Sequence, residues 1–112
     1  MNKVDQRKSR RATVNLLVGE TTGGKYFVPL LADISADGLM IESPSGLERP
    51  RAHDSVIELS LPGCKEIIRA RCRIVRRKVK GFFEKQALKF VDISAVDRKH
   101  IKLYVQRCVG LA

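Results

Sequence analysis

The chain has 112 residues, which is enough for one domain and leaves no room for a second independent core. A hydrophobic share of 44% and a charged share of 30% exclude a disordered chain, and no apolar run approaches the ~20 residues of a membrane-spanning helix. The 22 Lys and Arg against 12 Asp and Glu give a formal charge of +10, a field that attracts nucleotides, nucleic acids or acidic membranes without choosing among them.

Residues 1–11 are polar and basic and are expected to form a flexible N-terminal arm. Ala12 to Val18 turns apolar and β-favouring, which predicts a first strand. Gly19-Glu20-Thr21-Thr22-Gly23-Gly24-Lys25 spells the start of a phosphate loop, but Tyr26 follows where Ser or Thr would ligate magnesium. The segment after it reads as strand and contains Pro29, so a Gly-rich hairpin turn is expected instead.

A second strand is expected over about 26–34, and the polar turn Asp33-Ile34-Ser35-Ala36-Asp37-Gly38 leads into a third beginning at Gly38. Residues 43–54 read as a loop. Val56 to Leu61 alternates as a half-buried strand. In the next strand, about 66–78, Ile68, Ala70, Cys72 and Ile74 share one face and Arg69, Arg71 and Arg73 the other. Cys72 therefore reads as a small core residue. After Lys80-Gly81 a last strand covers about 82–91.

Asp92-Ile93-Ser94 repeats the earlier Asp-Ile-Ser without its glycine. Ser94 and Asp97 resemble a capping box instead, and Ile101, Tyr104, Val105 and Cys108 recur with a helical period. The expected architecture is mainly β: residues 12–112 forming a small six-stranded antiparallel barrel with one C-terminal helix over 94–109.

Catalytic chemistry is not indicated. His53 falls in a polar loop and His100 in the helix, with no Ser or Cys placed by spacing to serve either, and no metal-ligand cluster is visible. Cys64, Cys72 and Cys108 carry no Cys-x-x-Cys spacing, so neither a disulfide framework nor a zinc site is expected. Cysteine usage and the absence of a secretory h-region point to the cytoplasm. The arginine row at 69–73, continued by Arg76, Arg77, Lys78 and Lys80, could follow a nucleic-acid backbone. It lacks interleaved aromatic platforms, however, so nucleic acid is the weaker reading.

The basic arm and the polar turn carry a sharper signal. Arg guanidinium binds phosphate or the O6/N7 edge of guanine bidentately, and a carboxylate at Asp33 can accept from guanine N1–H and N2–H₂. Ser35 offers a hydroxyl, and Gly38 removes a Cβ where backbone must turn or approach.

With Arg7-x-x-x-Arg11, then Ala12-Thr13-Val14, then Asp33-x-Ser35-x-x-Gly38, and the ending Ala87-Leu88-Lys89-Phe90-Val91-Asp92-Ile93-Ser94, the sequence resembles the PilZ domain family of cyclic di-GMP receptors. The resemblance covers nearly the whole chain. It implies a six-stranded barrel holding the dinucleotide on its outer surface, with Arg7, Arg11, Asp33, Ser35 and Gly38 at the ligand. Lys8, Arg10, Arg71 and Arg73 are candidate additional contacts. No cofactor beyond that ligand is expected. The expected mechanism is ordering on binding: a doubly anionic ligand neutralises the cationic arm, which then presents a new surface to an unidentified downstream protein partner. A PilZ-like scaffold for protein contacts that does not bind cyclic di-GMP is the alternative within the same fold.

Overall fold

The computed structural model describes residues 10–46 and 54–109. Among these the chain forms eight strands and one helix: β1 (Arg11–Leu17), β2 (Gly19–Thr22), β3 (Lys25–Phe27), β4 (Leu30–Ser35), β5 (Gly38–Pro44), β6 (Asp54–Leu59), β7 (Ile68–Lys80), β8 (Phe83–Ile93) and α1 (Ala95–Cys108). The strands make one sheet in the order β1-β4-β5-β8-β7-β6-β2-β3, and every neighbouring pair is antiparallel.

The expected six strands are therefore eight. The Gly-rich hairpin is present, but its turn is only Gly23-Gly24, both at positive φ (56° and 77°), as a two-residue hairpin turn demands. The residues before it are a strand of their own. The expected strand over 26–34 is split at Val28-Pro29, because proline has no N–H to give to a ladder. The loop expected over 43–54 also shrinks, since β5 runs on to Pro44 and β6 begins at Asp54.

The split explains the curvature. β1 and β2 are separated only by Val18, yet β1 ends one side of the sheet while β2 lies near the other. The sheet must curl until its ends approach, and the Val18 amide donates to the Pro29 carbonyl at 3.0 Å across the two corners. The result is a curled antiparallel half-barrel.

Alternation fills its interior. β7 reads buried and exposed in turn over Ile68–Arg73, and Leu31, Ile34, Leu39, Ile57, Ile68 and Cys72 are wholly buried with residues from α1. The helix is capped as its sequence requires: the Asp97 amide donates to Ser94 Oγ at 3.0 Å. Of its expected apolar face, Ile101 and Val105 are buried and Tyr104 packs partly against the core, whereas Cys108 is exposed.

Candidate functional site

Arg11 opens β1, and Asp33 lies near the end of β4, its antiparallel neighbour. The pairing Arg11↔Ser35 and Thr13↔Asp33 puts the arginine and the acid on one face, one register step apart. Arg11 Nε donates to Asp33 Oδ1 at 2.7 Å, and Nη2 lies 2.5 Å from the same oxygen. Both side chains are about three-quarters buried. The contact fixes the guanidinium plane and leaves Oδ2 outside the pair.

Ser35 is 1% exposed, and its hydroxyl serves the turn itself. Its Oγ accepts from the Asp37 amide at 3.2 Å and the Gly38 amide at 3.3 Å, while lying 3.4 Å from the Gly38 carbonyl. This is a side-chain-built turn of the kind Ser favours.

Gly38 does not need a left-handed φ. What it needs is space, because a Cβ there would overlap the Leu88 carbonyl oxygen and lie 3.2 Å from Lys89 Cα. The turn is pressed directly onto β8, where the Phe90 amide donates to the Asp37 carbonyl at 2.9 Å.

The helix holds the turn from its other side. Arg98 Nη1 donates to the Ala36 carbonyl at 2.6 Å and lies 3.9 Å from the Asp37 carboxylate. Periodicity alone places Arg98 on the polar side of α1. Nothing local signals that this side faces the turn, since the two are 62 residues apart in the chain.

Register extends the face beyond these residues. The row Gly38–Lys89–Arg73–Asp54 crosses β5, β8, β7 and β6. The row Asp33–Met40–Ala87–Arg76 crosses β4, β5, β8 and β7. Paired residues project to one side, so Lys89, Arg73 and Arg76 join Arg11 and Asp33 on the outer face. Strand spacing puts Arg73 two strands, or roughly 10 Å, from Gly38. Arg71 and Arg73 both pair with Asp54, at 3.4 and 3.3 Å, so their charge is partly balanced. Lys89 and Met40 were not singled out by sequence reasoning, and only the register exposes them. Arg10 is exposed at the foot of β1. Arg7 and Lys8 lie outside the described residues, as does His53.

One buried acid is equally unannounced by the sequence. Glu20 on β2 is wholly buried and accepts from Ser55 Oγ at 2.9 Å. Burial, and secondarily the charge of Glu20, pushes the Cys72 thiol up to about 12. Cys72 is thus an inert core residue. Among the described residues no group of three or more His, Cys, Asp or Glu could hold a metal ion, and no helix is long and apolar enough to cross a membrane.

A curled antiparallel sheet with a basic outer face and a turn clasped between a strand and a helix defines a small mainly-β domain of recognisable type. The chain belongs to the PilZ domain family, whose family model matches residues 5–107. No curated protein matches it. Solved structures share the fold at low identity. The Bacillus subtilis inhibitor of motility MotI/DgrA superposes with a TM-score of 0.79 at 21% identity, covering 90% of this chain and 50% of that one. The PilZ domain of Escherichia coli YcgR, solved with c-di-GMP, gives 0.68 at 13%, covering 93% and 92%. Borreliella burgdorferi PlzA in complex with c-di-GMP gives 0.69 at 8%, covering 94% and 52%. The chain spans about half the length of the MotI and PlzA chains and nearly all of the YcgR domain.

Proposed function

We propose that this chain is a cyclic di-GMP receptor that takes the dinucleotide on the outer face of its curled sheet, between the N-terminal arm and the Asp33–Gly38 turn. The observation that carries this reading is the Arg11–Asp33 contact. It joins the end of the Arg-x-x-x-Arg element to the start of the Asp-x-Ser-x-x-Gly element, 22 residues apart in sequence. Family membership and the cyclic di-GMP complexes of structural neighbours support the choice of ligand.

In this reading Arg7 and Arg11 bind phosphate and the O6/N7 edge of guanine, with Arg11 held in plane by Asp33. Asp33 accepts from the guanine N1–H and N2–H₂ groups through the oxygen left outside its pair with Arg11. Ser35 contributes by locking the turn, and Gly38 by letting that turn lie against β8. Lys8, Arg10, Arg71 and Arg73 supply phosphate contacts or long-range attraction, the last two with their charge partly balanced by Asp54. Each charge-assisted hydrogen bond is worth about 1.5–3 kcal/mol, so two arginines and one carboxylate suffice for micromolar affinity. A doubly anionic ligand neutralises the run of cations at 7–11 and draws it onto the sheet. The ordered arm then presents a new surface to a downstream protein partner.

Titration calorimetry with cyclic di-GMP tests this directly. Saturable binding in the micromolar range, weakened by added salt, is expected. No saturable heat at tens of micromolar would remove the receptor reading. A gel shift with random RNA or DNA would then favour a nucleic-acid binder, and its absence a protein-interaction scaffold.

A further inference from the structure

A second chemically distinctive place lies between the β6–β7 connection and α1. Leu61-Pro62-Gly63-Cys64 forms a tight turn in which the Cys64 amide donates to the Leu61 carbonyl at 3.0 Å. Gly63, at φ +81°, supplies the left-handed third position of a type II turn after Pro62. The turn delivers Cys64 Sγ to 3.1 Å from His100 Nδ1 on α1, closer than its other contact, the Glu66 carbonyl at 3.8 Å. Spacing in the sequence pairs neither residue with anything; 36 positions separate them.

The pair opens into a cleft of about 350 Å³ whose wall also includes Lys65, Glu66, Tyr104 and Arg107. That volume suits a small molecule, and two cations against one acid favour an anionic one. The other cysteines provide internal contrast. Cys72 is buried without solvent access, and Cys108 is exposed on the helix.

We propose that Cys64 is a thiol-exchange site that forms a mixed disulfide with anionic low-molecular-weight disulfides, with His100 as its proton acceptor. In the tautomer with hydrogen on Nε2, His100 Nδ1 takes the Cys64 proton. The Cys64 thiolate attacks one sulfur of the reagent, a Cys64 Sγ–S bond forms as the reagent's S–S bond breaks, and the departing thiolate takes the proton back from His100. One disulfide replaces another: Cys64 is oxidised as the departing half of the reagent is reduced to a thiol, so the reagent is itself the oxidant. Lys65 and Arg107 hold the reagent's carboxylates.

The test uses the full chain incubated with oxidised glutathione at neutral pH, with adducts located by peptide mass spectrometry. Wild type is expected to form the adduct on Cys64 roughly tenfold faster than on Cys108 and not at all on Cys72. Cystamine, a cationic disulfide, is expected to react several-fold more slowly at Cys64. His100→Gln should bring the Cys64 rate down toward that of Cys108 and leave the Cys108 rate unchanged. Equal labelling of Cys64 and Cys108 in wild type overturns the site. An unchanged rate in His100→Gln overturns the role of His100, and equal rates with the two reagents overturn the charge selection.

Discussion

The main-chain carbonyl of Leu88 occupies the space that a side chain on residue 38 would need, so Gly38 is demanded by β8 and not by its own φ. The obstacle is backbone in the middle of a sheet, which cannot swing away as the end of a flexible side chain can. Gly38→Ala should therefore destabilise the fold by about 1–3 kcal/mol, as other overpacked positions do. Urea denaturation reads this as a lower midpoint. An unchanged midpoint would show that β5 and β8 can separate locally and that the Leu88 carbonyl does not require glycine at position 38.

Arg11→Ala and Asp33→Ala each remove one side of the contact between the arm and the turn. Both should weaken cyclic di-GMP binding at least roughly tenfold, the equivalent of about 1.4 kcal/mol. Their effect on stability should stay near about 1 kcal/mol, since the pair is partly solvated. Calorimetry and thermal melts on the same samples separate the two quantities. A large loss of stability with unchanged affinity would make the pair a structural one.

Arg98 ties α1 to the turn through the Ala36 carbonyl at 2.6 Å. Arg98→Ala should speed hydrogen exchange at the Asp37 and Gly38 amides several-fold and weaken ligand binding by a smaller factor than Arg11→Ala. Exchange mass spectrometry over the peptide containing residues 33–38 measures it. If exchange there is unaffected, the turn is held by Ser35 and β8 alone.

The Cys72 thiol is pushed up to about 12 in the folded chain, from its ordinary value of 9.0, by burial first and by Glu20 second. Its folded pKa lies above the unfolded one, so its contribution is fully present below about pH 9 and is lost as pH rises from there toward about 12. Within that window the unfolded thiol ionises and the folded one does not. The loss approaches about 1.4 kcal/mol per pH unit. Urea unfolding of wild type and Cys72→Ala at a series of alkaline pH values should show a steeper decline in wild type. Parallel declines would mean that the thiol ionises equally in both states.

Much of the architecture was legible because its signals are local. Alternation in Val56–Leu61 and Ile68–Ile74 marked strands with one buried face, the Gly23-Gly24 pair marked a hairpin turn, and Ser94 with Asp97 marked the helix start. The count of strands was missed at the two corners. A single residue, Val18, and the dipeptide Val28-Pro29 break what a pattern reads as continuous extended chain, and only the partners of each half show the break.

The Arg7/Arg11 and Asp33–Gly38 elements, and the choice of an anionic ligand, came from residue chemistry and spacing along the chain alone. That Arg11 lies beside Asp33 is a matter of the β1–β4 register. So is the row that brings Lys89 and Arg73 beside Gly38, as is the clasp of Arg98 on Ala36 and the approach of Cys64 to His100. Linear periodicity reports which face of an element a residue occupies. Which other face it meets depends on sheet order and helix docking, which are set by burial of the whole core, and no local pattern encodes them.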